Sequence, residues 1–138
     1  MISIDVGVFY DAVNSASPHF RQARELVERL SRSTEVVIPE PTFVALYGAL
    51  ASKSPEGAVR VIRQLRTNPR WRVVDIQSTR LDMNPVWEKV LSEGLGVADI
   101  RRLRMVSTLR RNGVDKFYTT EVEAYHALGF PAAVSAYA

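Results

Sequence analysis

Met1-Ile-Ser-Ile-Asp5-Val-Gly-Val-Phe-Tyr10 opens the chain with a short β-branched run that meets a carboxylate at its fifth residue. Such a run, without polar alternation, reads as a buried strand ending at Asp5 or just after it, with residues 6–10 continuing apolar. Working outward, Ser17-Pro18 offers an N-cap and a first-turn proline. The helix they start carries Phe20, Ala23, Leu26, Val27 and Leu30 at helical spacing as far as Arg32. Residues 35–39 read as a second strand stopped by Pro39, and Phe43, Leu46, Tyr47 and Leu50 mark a helix from about Thr42. Ser54-Pro55 opens another, which ends near Asn68-Pro69. A third strand at 71–76 precedes a helix bearing Val86, Trp87, Val90 and Leu91, which stops before Gly94. The next helix covers about 97–112, with Gly113 as its C-cap, and leads to a fourth strand at 116–119. Thr120 and Glu123 have capping-box spacing for a last short helix, and 132–134 is left as an edge strand. Strands alternating with helices imply a parallel α/β sheet covered on both faces, whose working crevice lies beyond the carboxyl ends of the strands.

With 138 residues, 46% of them hydrophobic, the chain can bury one proper core, so a single domain over residues 1–138 is expected. Charges of both signs are interspersed and no run of eighteen apolar residues occurs, which argues against disorder and against a membrane span. The absence of cysteine removes disulfides, thiolate nucleophiles and thiolate-bound zinc. A charge at the fifth residue breaks any signal-peptide pattern, so a cytoplasmic protein is expected. The net charge of +3 is unevenly spread. Arg60, Arg63, Arg66, Arg70 and Arg72 fall in a stretch, 57–74, that contains no acid. That block is either a solvated helix face or a contact for a phosphate backbone.

The residues to inspect are therefore acids just past strand ends. Asp5 closes the first strand, Glu121 follows the fourth, and Asp99 lies in the first turn of the helix leading to the fourth. Carboxylates on separate elements of one rim suit a hard divalent cation, which takes oxygen ligands. Asp99 and Glu121 also have an ordinary explanation, since acids in first helical turns complement the helix dipole. Asp5 lacks that excuse, because a carboxylate in a buried strand must be paired or bound to a metal. His19 and His126 have no companions at ligand spacing, Trp71, Trp87, Tyr118 and Phe130 are simplest as core or interface aromatics, and no serine has a partner that would activate it.

The opening Ile-Ser-Ile-Asp5, the segment Gly96-Val-Ala-Asp99 and the run from Asn112 to Glu123, through Phe117-Tyr-Thr119-Thr-Glu121, resemble in order the motifs of PIN domains. Among these the resemblance is to the small VapC toxins, metal-dependent ribonucleases neutralised by an antitoxin. It implies a PIN-like three-layer α/β/α sandwich around a parallel sheet of four or five strands. It further implies an Mg²⁺ or Mn²⁺ site with Asp5, Asp99 and Glu121 as catalytic ligands, Glu123 as a supporting acid, and the Arg60 to Arg72 block guiding RNA. An antitoxin partner and a homodimer belong to the same expectation, with Phe43, Leu46, Tyr47 and Leu50 serving either the core or a dimer seam. The sequence departs from the family pattern at Gly7, where asparagine is usual, and at Ala45, where a glutamate is usual. Glu40 stands five residues earlier as a possible substitute. These departures motivate the competing expectation, a catalytically impaired PIN-like domain that binds RNA or protein.

Overall fold

Five short strands run parallel to one another in the computed structural model, which describes residues 1–138. They are β1 (Ile2–Ile4), β2 (Val37–Pro39), β3 (Arg72–Val74), β4 (Lys116–Thr119) and β5 (Ala133–Ser135). One ladder has the order β1-β4-β5 and a second joins β2 to β3. A parallel bridge between Ile2 and Val36, with the Ile2 N–H donating to the Glu35 carbonyl at 2.8 Å, links the two. The spatial order is therefore β3-β2-β1-β4-β5, and the direction of winding reverses between β1 and β4. Crevices in doubly wound sheets open at that reversal, past the carboxyl ends.

Seven helices cover the sheet: α1 (Val6–Val13), α2 (Phe20–Leu30), α3 (Glu40–Leu50), α4 (Pro55–Arg66), α5 (Arg80–Glu93), α6 (Val97–Arg111) and α7 (Val122–Ala127). Successive strand residues point to opposite faces, and the apolar residues divide accordingly. Ile4, Val36 and Ile38 pack with Val8, Phe9, Leu26, Phe43 and Leu46 from α1, α2 and α3. Val37 and Phe117 pack on the other side with Val106 and Leu109 of α6 and Tyr125 of α7. This is the expected three-layer sandwich. Phe43 and Leu46 are consumed by the core, so of the proposed dimer seam on α3 only Tyr47 is substantially exposed. No helix is long and apolar enough to cross a membrane.

One element was not foreseen and one local expectation is corrected. β1 stops next to Asp5 as expected, but the apolar residues after it, given no element in the sequence, form α1, because the Asp5 side chain accepts the Val6 N–H at 2.8 Å and caps a helix there. A short apolar run fits either structure, and the cap decides. At the other end, Thr120 and Glu123 form no capping box, and α7 has no side-chain cap. Thr119 Oγ1 instead accepts the Glu121 N–H at 3.0 Å, drawing that turn towards the end of β1.

Candidate active site

Asp5 is 6% exposed and lies where the winding reverses. One of its carboxylate oxygens accepts the Val6 N–H; the other accepts the Thr119 hydroxyl at 2.7 Å. Both donors are neutral, so no cation is paired directly with this buried acid. Burial pushes its carboxyl above the usual range, against the pull of the Thr119 and Val6 hydrogen bonds, and the nearby Glu121 adds to the rise while Arg102 opposes it. Thr119 couples the two strand ends, since its Oγ1 donates to Asp5 and accepts from the backbone of Glu121.

Arg102 was not singled out in the sequence, and it dominates the rim. From α6 it reaches back one turn to Asp99, Nη1 to Oδ1 at 2.9 Å. It also grips Glu121 with Nη2 to Oε1 at 3.1 Å and Nε to Oε2 at 3.3 Å. Asp99 and Glu121 are thus brought together, but through a guanidinium. No three acidic or histidine side chains converge closely enough to hold a metal ion between them. Asp5 is buried near Glu121, and Arg102 joins Glu121 to Asp99 in a clamp. Its origin is helical spacing: residues three apart on α6 meet on one face, and Arg102 has the length to span to α7.

Asp5 and Glu121, though not Asp99, border a cleft of about 910 Å³. Asp5, Glu121 and Tyr125 line one side, Ala45 and Val44 of α3 another, and Arg101, Arg102 and Arg104 of α6 a third. Tyr125 is buried; desolvation and the charges of Asp5 and Glu121 push its phenol well above its ordinary value, so it stays protonated. Arg101 and Arg104 are exposed and make no side-chain hydrogen bond or ion pair, unlike Arg102. Asp75, one residue past β3, also reaches the cleft.

Glu40, weighed as a replacement for the acid missing at Ala45, lines the cleft but is held by Arg66 of α4, with Nε 2.9 and 3.0 Å from its two oxygens. Glu123 is exposed in the first turn of α7 and has no ion-pair partner. The arginine block is divided by the fold. Arg66 reaches the cleft only through Glu40, and Arg60 and Arg63 are exposed along α4. Arg70 and Arg72 belong to the opposite end of the sheet, where Arg70 donates to the Arg32 carbonyl at the end of α2 and Arg72 to Asn112 after α6. Neither lines the cleft. Gly7 has a steric origin: a Cβ there would lie 2.6 Å from Thr120 Oγ1.

No family model matches the sequence. Ribonuclease VapC24 of Mycobacterium tuberculosis, from strain H37Rv and identically from strain CDC 1551, is 30% identical over 94% of this chain and 92% of its own length. Among solved structures, the sarcin-ricin loop cleaving toxin VapC20 of M. tuberculosis superposes with a TM-score of 0.69, covering 92% of this chain and 95% of that one. At 14% identity that likeness speaks to the fold alone. Near-complete mutual coverage by a relative of this identity, on a sandwich with a buried aspartate at its winding reversal, makes the chain a member of the VapC family of PIN-domain toxins.

Proposed function

We propose that the chain is an endoribonuclease of the VapC toxin type, hydrolysing RNA phosphodiesters in the cleft beyond β1 and β4. The observation that carries this reading is Asp5, a carboxylate buried against neutral donors only, at the mouth of a cleft it lines. Asp5 caps α1 through the Val6 N–H, yet it also lines the cleft with no cation paired to it, where a bound ion would offset the cost of burying its charge. The oxygen-only donor set of Asp5, Asp99 and Glu121 fits Mg²⁺ or Mn²⁺ chemically, provided Arg102 leaves the last two. Bound there, such an ion supplies Lewis-acid polarisation of the phosphodiester.

The protein's own groups account for the rest. Thr119 fixes the orientation of Asp5 and ties it to Glu121. Arg101 and Arg104 offer unpaired guanidinium groups to RNA phosphates on the cleft wall, a role the sequence assigned to Arg60 through Arg72. Arg60 and Arg63 remain available to a longer strand, and Glu123 adds negative charge behind Glu121. For an antitoxin or a second copy of the chain, the apolar surface on offer is α5, where Trp87 and Leu91, one turn apart, are both exposed.

The test is cleavage of single-stranded RNA with Mg²⁺ or Mn²⁺, before and after Asp5→Asn. Metal-dependent cleavage lost in the variant is expected. Ala45 and the lack of a ready metal cluster favour a second reading, a domain that binds RNA without cutting it. Salt-sensitive RNA binding with no cleavage under either metal would establish that second reading instead.

A further inference from the structure

We propose that Arg102 is a counter-cation built into the acid site, which holds Asp99 and Glu121 in the metal-free protein and must be expelled before a divalent ion can take them. The inference rests on the nuclease reading given above, and goes beyond it by naming what the ion competes with.

The geometry has the features of an exchangeable occupant. Arg102 spends three of its nitrogens on two carboxylates that belong to different elements, Asp99 on α6 and Glu121 at the start of α7. Without it, the Asp99 and Glu121 side chains would have no bonded partner. Arg102 brings one positive charge to the two carboxylates it bonds, so a divalent ion gains more from the same oxygens than the guanidinium does. The grip is not deep: the side chains of Asp99 and Glu121 are 35% and 47% exposed. Ion pairs that open to water are worth little net and are readily exchanged. Arg102 also lines the cleft, so its released side chain has open space to enter rather than a core to disrupt. Because the ion and the guanidinium claim the same oxygens, each lowers the apparent affinity of the other.

The experiment is calorimetric titration of the whole chain with Mn²⁺, without RNA, for wild type, Arg102→Gln and Arg102→Lys. Thermal unfolding is followed in parallel with EDTA and with Mn²⁺. Arg102→Gln is expected to bind Mn²⁺ at least about tenfold more tightly, equivalent to about 1.4 kcal/mol. It should also melt lower than wild type in EDTA and recover more of its melting temperature on adding Mn²⁺. Arg102→Lys, whose single ammonium cannot fork across both acids, should fall between, and it carries the test if the glutamine variant does not fold. Equal Mn²⁺ affinity in all three proteins would overturn the proposal while leaving the nuclease reading standing, which cleavage lost on Asp5→Asn tests separately. No Mn²⁺ binding by any of them would overturn both.

Discussion

Gly7→Ala should destabilise the protein, although the substitution is made inside a helix where alanine is normally the better residue. Gly7 is the second residue of α1, and helix propensity alone favours alanine by about 0.5–1 kcal/mol. Against this, the new Cβ would sit 2.6 Å from Thr120 Oγ1 and 3.5 Å from its Cγ2. The first distance is far inside ordinary contact, and a β-branched threonine has little χ1 freedom with which to swing clear. Overpacking of this kind costs about 1–3 kcal/mol, so the balance falls at about 1 kcal/mol of lost stability. Thr120 is exposed and makes no side-chain hydrogen bond, so Thr120→Ala by itself should be nearly neutral. In that background the clashing atoms are gone, and Gly7→Ala should become stabilising by about 0.5–1 kcal/mol. Urea unfolding of the four proteins, with unchanged m-values, reads the cycle directly. The sign reversal is the signature. If Gly7→Ala stabilises wild type, or if the two changes simply add, the close approach of α1 to the β4–α7 turn is not what excludes a side chain at position 7.

Three further outcomes are expected. Asp5→Asn should abolish metal-dependent RNA cleavage and remove the share of the metal-free protein's pH-dependent stability that comes from Asp5. The Asp5 carboxyl is raised by burial, so its ionisation favours the unfolded chain. Wild type should therefore lose ground to the variant as pH rises from the unfolded-state value through the folded one, and run parallel to it above. Melting curves in EDTA from pH 4 to 8 would refute this if the gap closed with rising pH. Replacing Arg101 or Arg104 by alanine should lower the slope of log K against log salt for RNA binding by about one each, whereas Arg70→Ala and Arg72→Ala should leave it unchanged. Loss of slope in the second pair would return the basic block to the binding surface. Tyr137→Phe removes the hydroxyl that donates to Asp11 at 2.6 Å, in a side chain stacked on His19. About 0.5–1.5 kcal/mol should be lost in urea unfolding, and no change would mean that water replaces the bond at no cost.

Where the sequence pattern was strong, it located elements closely. Ser54-Pro55 marks the start of α4, whose cap is Ser54 Oγ to the Gly57 N–H, and residues 116–119 are β4 as expected. Asp5 was identifiable because a charge ending an apolar strand has few uses. What escaped was tertiary. Val6 to Tyr10 suits strand and helix equally, and only the Asp5 cap selects α1. The pairing of Arg66 with Glu40 spans 26 positions and links two helices, so neither the loss of that arginine to RNA nor of that acid to the site shows in one dimension. Half of the Arg102 clamp, the three-residue spacing from Asp99, was visible on α6. The other half, its reach to Glu121, depends on α6 and the end of β4 lying side by side.

The two larger apolar clusters are separate, one packed with α1 to α4 and the other with α6 and α7. Each can accept volume-conserving exchanges without asking the opposite layer to repack. The candidate acids Asp5 and Glu121 stand just past the ends of β1 and β4, tied to each other through Thr119. Such a layout lets side chains drift far during divergence while the strand ends that carry these acids keep their place. A common backbone with VapC20 at only 14% identity is what that freedom produces.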